Sequence, residues 1–240
     1  MEQLHIISPA WNVSDNVQRM ISAVVSSKVV FPFEYTVYSA CIEDEQNRKL
    51  TKLAGEHHFK MAQLNDKTSA PNIQLTQILQ HAQKKAMNAG VPLLVVWPEV
   101  LVAKDTIQEL FEYGRMMERS GLISAIVRDA KGNIAQPHSF AMSYNRGIVP
   151  THHNVGLFCA LFTSRLLAII DFTDLPDTKE SFEAKISKRS RRLGFKNYMI
   201  TTSSVEWTPK RGRYTLLQED MNWLKYQWFK LVKRFRKSHK

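Results

Sequence analysis

The chain has 240 residues, of which 44% are hydrophobic and 23% are charged, and its formal net charge is +11. This composition predicts a folded protein with a sizeable core and excludes a disordered chain. Two cysteines are too few for a disulfide framework, so we expect a reduced, intracellular protein. The first residues lack a signal-peptide pattern, and no apolar run is long enough to cross about 30 Å of hydrocarbon. We therefore expect neither a targeting segment nor a membrane span.

The positive charge is concentrated at the C-terminal end of the chain. Residues 1–184 contain 17 Lys and Arg against 19 Asp and Glu, whereas residues 185–240 contain 16 against 3. The net charges are −2 and +13, which excludes a protein that is basic throughout. The distribution predicts a near-neutral body with a basic C-terminal surface. We expect the domain to cover residues 1–207 and a basic helical extension to cover residues 208–240. Nucleic acid is a less favoured partner, because no recognised nucleic-acid-binding motif accompanies the charge.

Apolar and periodic segments alternate through the first half of the chain. This alternation predicts an α/β fold with a mostly parallel central sheet flanked by helices. Residues 91–97 form an uninterrupted apolar run, which predicts a central strand buried on both faces. The predicted strands cover residues 4–8, 34–42, 57–64, 91–97, 122–128 and 141–149, and the predicted helices cover residues 14–24 (capped by Asn12 or Ser14), 73–87 and 106–120.

Polar and turn-forming residues gather where four of the predicted strands end. Ligands of parallel α/β sheets bind beyond the carboxyl ends of the strands, so these residues are the first candidates for a site. Turns are also needed there for stability alone, which keeps a purely structural interpretation open. The strand-end segments are residues 8–12, 39–44, 65–72 and 97–99.

Taken in order, these segments resemble the nucleotide-sugar half of a family 2 glycosyltransferase of the GT-A type. The similarity covers roughly residues 3–207. Residues 6–12 match the first-strand motif around the nucleotide base, with an apolar pair, a small residue and Asn12. Trp97-Pro98-Glu99 stands where the family has an Asn-Pro-Asp or Asp-x-Asp element. The other matching segments are residues 34–44, 65–72, 155–165 and 182–194.

The resemblance implies a GT-A fold and transfer of a sugar from a nucleotide-sugar donor to a lipid-linked or cell-surface glycan. Several positions differ from the family pattern: Ser39 stands in place of an Asp, Glu99 in place of the metal-binding Asp, and only Glu183 remains of a pair of acids. Further differences are Lys67 in place of a Gly, Lys185 in place of an Asp, and Glu206 or Trp207 in place of a His. A protein that keeps this fold but serves as a non-catalytic scaffold subunit of a glycan-assembly complex is therefore the alternative. The implied donor contacts are Pro9, Trp11, Asn12, Ser39, Asp44, Asn65 and Trp97.

Inverting sugar transfer needs a base for the acceptor hydroxyl and positive charge near the departing diphosphate. Glu183 is the candidate base, and the alternative is a solvated helix glutamate. Glu99 is the candidate ligand for a divalent metal, Mg²⁺ or Mn²⁺, since both prefer oxygen ligands. The alternative for Glu99 is a surface acid at a strand–helix junction. Trp11 is expected to flank the base, or else to cover the end of the sheet.

The C-terminal extension contains a predicted basic amphipathic helix over residues 216–237. Seven apolar residues recur at helical spacing, six cations lie off that stripe, and Trp223, Tyr226 and Phe229 form a second aromatic row. This pattern is typical of a helix at an anionic membrane surface, and the alternative is a last helix packed on the body with a solvated face. We expect a combination, in which the apolar stripe that includes Leu217 packs on the body while the cations face a membrane. We therefore expect a cytoplasmic protein, peripheral on the inner face of the cytoplasmic membrane. The basic run 185–196 is expected to add to that surface or to bind the donor diphosphate.

Overall fold

The computed structural model describes residues 3–41, 43–64, 71–130, 132–134, 147–173 and 181–207. Asn65 and the predicted extension 208–240, with its helix 216–237, lie outside the described residues. The strands are β1 (Leu4–Ala10), β2 (Phe33–Ser39), β3 (Lys60–Gln63), β4 (Leu93–Val96), β5 (Val100–Val102), β6 (Ser120–Arg128), β7 (Ile148–Thr151), β8 (Cys159–Phe162) and β9 (Lys196–Trp207). The helices are α1 (Asp15–Val25), α2 (Asp44–His57), α3 (Pro71–Ala89), α4 (Thr106–Met116), α5 (Ser164–Leu167) and α6 (Phe182–Arg192).

All the described strands join one sheet in the order β3-β2-β1-β4-β8-β6-β9-β5, with β7 paired to β9. The pairings give β1, β2, β3, β4, β6 and β9 a common direction, while β5, β7 and β8 run against them. The predicted α/β fold with a mostly parallel sheet is therefore confirmed. The predicted central strand is also confirmed, since β4 lies between β1 and β8 in the middle of the sheet.

Helices cover both faces of this sheet. Leu94 and Val96 of β4 pack into a core shared with α1, α2 and α4, whereas Leu93 and Val95 pack into a core shared with α3, α5 and α6. Side chains of a strand alternate between faces, so a strand covered on both sides must be apolar at every position. This explains the uninterrupted apolar run in the sequence.

The two helices with the clearest periodicity form as predicted. The hydroxyl of Ser14 accepts a hydrogen bond from the backbone N–H of Val17 at 3.4 Å and caps α1, which settles the choice between Asn12 and Ser14. The apolar residues that recur at helical spacing in these two helices are buried: Val17, Met20, Ile21 and Val24 in α1, and Leu75, Ile78, Leu79 and Ala82 in α3.

The prediction for the region between β2 and α3 is wrong in part. The acidic residues 43–45 lead into helix α2, and the predicted strand 57–64 shortens to β3. Only Asn47 and Leu50 of α2 are buried, so the helix has too narrow an apolar stripe to show in the sequence. Negative charge in its first turn favours the helix through the macrodipole. Of the predicted strand 141–149, residues 141–146 lie outside the described residues.

Within the described ranges, no helix is both long enough and apolar enough to cross a bilayer.

A polar cluster joins β1, β2, β3 and α3. The carboxylate of Glu34 accepts hydrogen bonds from Lys60 at 2.5 Å and from Lys85, and it lies 3.6 Å from Nε2 of His5. Partial burial favours the protonated carboxyl, but the two lysines outweigh it and hold the pKa of Glu34 at about 2. Burial, reinforced by the charge of Lys85, lowers the pKa of His5 from 6.5 to about 4.

This cluster makes stability dependent on pH. Between pH 6.5 and about 4 the unfolded chain binds a proton at His5 that the folded chain does not, so acidification through this window favours unfolding. The full difference corresponds to about 3 kcal/mol. We expect the His5→Gln variant to lose less free energy of unfolding than the parent between pH 7 and pH 4.5, as measured by urea titration. The exposed His152→Gln control should keep the parent slope, and parallel curves for His5→Gln and the parent would contradict the prediction.

Candidate functional site

The carboxyl ends of the parallel strands meet at one edge of the sheet, which we call the carboxyl edge. Ala10 and Ser39, the last residues of β1 and β2, are partners in register. The two segments remain hydrogen-bonded one residue beyond the strands, where the N–H of Ala40 donates to the carbonyl of Ala10 at 2.8 Å. The parallel neighbour β4 ends at Val96 on the other side of β1. The strand-end segments 8–12, 39–44 and 97–99 are therefore neighbours in space, as the topology argument predicted.

Two tryptophans form the aromatic part of this edge. The ring centroids of Trp11 and Trp97 are 5.3 Å apart with an interplanar angle of 48°. The indole N–H of Trp11 donates to Oε1 of Gln74, in the first turn of α3, at 2.9 Å. Both indoles are partly exposed, so they present surface beyond the strand ends. Gln74 was not predicted, because no local pattern links it to a tryptophan 63 positions earlier.

Asn12 and Pro9 flank Trp11 but differ in exposure. Asn12 is exposed, and its side-chain oxygen accepts a hydrogen bond from the N–H of Ser14 at 3.2 Å, which fixes the turn between β1 and α1. Pro9 is buried within β1, opposite Tyr38 in the register with β2. Of these two residues, Asn12 is therefore the one that a ligand can reach.

Ser39 is held inside the protein. It is 3% exposed, its hydroxyl donates to Oδ1 of Asn47 at 2.6 Å, and it accepts from the N–H of Cys41 at 3.3 Å. The amide of Asn47 in turn donates to the carbonyls of Cys41 and Glu43. Ser39 and Asn47 thus shape the loop that leads to the exposed Asp44. The contact predicted between Ser39 and a donor stays a prediction. The role of Asn47 was not predicted, because the helix that carries it, α2, was not predicted.

Glu99 lies in a tight turn at the end of β4. The N–H of Val100 donates to the carbonyl of Trp97 at 3.2 Å and closes the turn, which leads into β5 rather than into a helix. The strand–helix junction considered for Glu99 is therefore wrong. In the described part of the chain, no three His, Cys, Asp or Glu side chains come together as a metal site. A single partly exposed carboxylate fits a Mg²⁺ or Mn²⁺ ion whose remaining ligands are phosphate oxygens and water.

Glu183 lies in the first turn of α6. The hydroxyl of Ser181 accepts from the N–H of Ala184 at 3.3 Å and caps the helix, while the N–H of Val155 donates to the hydroxyl of Ser187 at 2.8 Å. After α6 the chain turns into β9 at Lys196, at the amino ends of the parallel strands. The first turn of this 11-residue helix, about 16 Å long, is thus directed towards the carboxyl edge.

The segment between β7 and β8 connects α6 to the strand ends. Val155 contacts Ser187, and the carbonyl of Phe158 accepts from the N–H of Trp97 at 2.8 Å. The ring of Phe158 lies 6.2 Å from that of Trp207, at the end of β9. The indole N–H of Trp207 is buried and has no hydrogen-bond partner among the described residues. Phe158 was not predicted from the sequence as a site residue, because its contacts with Trp97 and Trp207 depend on the antiparallel pairing of β8 with β4.

No protein-family model matches the chain, and no curated protein matches it. Solved structures do match. A crystal structure of Staphylococcus aureus TarS residues 1–349 is 16% identical with a TM-score of 0.61, over 87% of this chain and 60% of that one. TarS in complex with UDP-GlcNAc is 16% identical with a TM-score of 0.63, over 88% and 60%. The mannosyltransferase PcManGT from Pyrobaculum calidifontis, in complex with GDP-Man and Mn²⁺, is 13% identical with a TM-score of 0.60, over 88% and 59%.

The chain therefore spans about 60% of the length of the structures that it matches. TarS and PcManGT are both GT-A glycosyltransferases. The sequence resemblance to this type of enzyme is confirmed at the level of the fold: the protein has the GT-A glycosyltransferase fold, in a divergent form.

Proposed function

We propose that this protein is a glycosyltransferase that moves a sugar from a nucleotide-sugar donor to a lipid-linked or cell-surface glycan, with inversion at the anomeric carbon. The observation that carries the proposal is the carboxyl edge of a GT-A sheet at which Trp11, Trp97 and the first turn of α6 converge. Structural neighbours in complex with UDP-GlcNAc and GDP-Man support a nucleotide-sugar donor.

The donor nucleotide binds against the end of β1. Trp11 is held by Gln74 and tilted against Trp97, so its ring is fixed before a ligand arrives, and a fixed aromatic face can stack on a base at little entropic cost. The exposed side chains of Asn12 and Asp44 supply hydrogen-bonding groups for base and ribose. The diphosphate then extends towards the turn that contains Glu99.

Glu99 would hold a divalent cation together with the diphosphate. Such a cation, when bound, stabilises the negative charge on the leaving nucleotide diphosphate. Because Glu99 is a single carboxylate, we expect the ion to bind with the donor rather than to the protein alone. The Mn²⁺ in the complex of PcManGT supports this expectation.

Glu183 acts as the base of the reaction. A carboxylate within hydrogen-bond reach removes the proton of the acceptor hydroxyl as its oxygen attacks the anomeric carbon from the face opposite the diphosphate. The capped start of α6 and the contact between Ser187 and Val155 fix the backbone that carries this carboxylate. Firm positioning matters because a displacement of about 1 Å can reduce the rate about 10²-fold.

The basic extension holds the enzyme on the inner face of the cytoplasmic membrane. It follows β9 directly, and β9 ends at Trp207 on the carboxyl edge, so the extension leaves the body beside the candidate site. A membrane-bound acceptor would arrive on the same side. Six cations at about 1 kcal/mol each are enough for a reversible attachment.

A scaffold subunit without catalysis is the second candidate function. The hydrogen bond from Ser39 to Asn47 favours this candidate. Ser39 stands where a donor-binding Asp is usual, and its hydroxyl is already bonded inside the protein. Donor binding without turnover would identify this candidate.

The first prediction concerns donor binding. We expect at least one UDP- or GDP-sugar to raise the melting temperature of the protein, and to raise it further when Mn²⁺ is present. The Trp11→Leu variant should bind that nucleotide sugar at least tenfold more weakly, because the stacking face is removed. Phe31→Leu is the matched control, since Phe31 is a partly exposed aromatic at the amino end of β2. If no nucleotide sugar stabilises the protein, the proposal that it is a glycosyltransferase is refuted.

The second prediction concerns the base. Glu183→Gln should lower the transfer rate with the donor so identified by at least about 10²-fold, because an amide cannot accept the acceptor proton. Donor affinity, measured by the same thermal shift, should stay within twofold of the parent. Glu56→Gln, an exposed change on α2, should leave both unchanged. A Glu183→Gln enzyme with the parent rate would exclude Glu183 as the base.

The third prediction concerns the membrane. Replacing Lys225, Lys230 and Lys233 by Gln should reduce binding to vesicles with 30% phosphatidylglycerol about 10²-fold in co-sedimentation, because each cation contributes about 1 kcal/mol. Replacing Arg48, Lys49 and Lys52 of α2 by Gln removes the same charge from the body and should change little. Equal losses from both triple variants would remove the case for a specific membrane helix.

A further inference from the structure

A cleft of about 680 Å³ opens at the edge of the sheet opposite the candidate site, which we call the amino edge. It lies where β4 begins, where β8 ends and where α4 ends. Strands of about seven residues separate the two edges by about 20 Å. The lining residues on which the inference depends are Pro92, Phe111, Gly114, Arg115, Ser164 and Arg165.

The cleft is positively charged. Arg115 of α4 and Arg165 of α5 both line it, and Arg165 is exposed with no ion-pair partner in the described part of the chain. The guanidinium of Arg115 lies 5.9 Å from the ring centre of Phe111, which keeps it against the wall. Glu112 is the acid that lines the cleft, and its carboxylate already accepts a hydrogen bond from Gln108 at 2.5 Å.

A third arginine stands at the rim. Arg119 precedes Ser120, whose hydroxyl donates to the carbonyl of Gly114 at 3.3 Å and whose carbonyl accepts from the hydroxyl of Thr163 at 2.7 Å. Both partners of Ser120 line the cleft, so the backbone of Arg119 lies beside it, although Arg119 is not itself a lining residue. Arg119 has a φ of 58°, a left-handed conformation that is unfavourable for an arginine. Backbone strain of this kind is concentrated at binding and catalytic sites.

We propose that this cleft binds the phosphate group of a ligand that also carries an apolar part. Arginine guanidinium groups match the oxygens of a phosphate in paired hydrogen bonds, and Ser164 adds an exposed hydroxyl. Val91 and Pro92 also line the cleft and are partly exposed, which gives the remainder of the ligand an apolar surface. A phospholipid headgroup and a free organic phosphate share this chemistry.

This site is distinct from the proposed donor site and does not depend on the proposed function. The basic run 185–196 ends at the amino edge, since β9 begins at Lys196 and the N–H of Lys196 donates to the carbonyl of Arg119 at 2.8 Å. Lys196 and Arg192 are exposed and add positive charge on this side. This end of the run is about 20 Å from a donor diphosphate at the carboxyl edge and cannot bind it.

The test uses the full chain and three probes: inorganic phosphate, dihexanoyl phosphatidylglycerol below its micelle concentration, and glycerol as the uncharged control. We expect isothermal titration at low salt to detect binding of one or both phosphate probes and none of glycerol. Tighter binding of the phospholipid identifies a lipid headgroup as the source, and equal binding identifies a free phosphate compound.

Variants then locate the binding. Arg165→Gln and Arg119→Asn should each weaken it at least tenfold, whereas Arg48→Gln on α2 should leave it unchanged. Asn tolerates the left-handed conformation, so Arg119→Asn keeps the backbone and its melting temperature should stay within a few degrees of the parent. Unchanged affinity in the Arg119/Arg165 double variant, or no binding of either phosphate probe by the parent, would overturn the proposal.

Discussion

Burial of the central strands on both faces is the constraint on which the rest of this structure depends. β4 carries Leu93, Leu94, Val95 and Val96 without a polar interruption and can be stable only under two layers of helices. With β1 and β4 parallel, their carboxyl ends must lie at the same edge, and the turns that follow them must lie there as well. Trp11 and Trp97 meet for this reason, and not because of any attraction between their segments in the sequence.

The parts of the fold that could be predicted from the sequence are those in which one residue pattern dominates. The apolar run of β4 and the periodic faces of α1 and α3 predicted their own structures, since each element buries a complete strand or a wide helical stripe. Helix α2 could not be predicted in this way, because it buries little beyond Asn47 and Leu50 and is attached by polar contacts. One of these joins Oε1 of Gln46 to the N–H of Val13 at 2.9 Å, across 33 positions.

The same distinction applies to the candidate site. Strand ends and family spacing identified Trp11, Asn12, Trp97, Glu99 and Glu183, because those positions follow from chain order alone. The residues that orient them are distant in sequence: Gln74 holds Trp11, Asn47 holds Ser39, and Val155 holds the helix of Glu183 through Ser187. Such supporting contacts depend on the register of packed elements, for which a single sequence contains no local pattern.

Buried polar atoms without a hydrogen-bond partner and exposed charges have different costs. The buried N–H of Trp207 and the buried Oε1 of Gln77 have no hydrogen-bond partner in the described ranges, and each unsatisfied group costs about 1–3 kcal/mol. The exposed cations of the amino edge cost little while hydrated, because water screens them. The aromatic rings of the carboxyl edge suit stacking on a base, whereas the exposed arginines of the amino edge suit a phosphate, so the two proposed sites lie at opposite ends of the same strands.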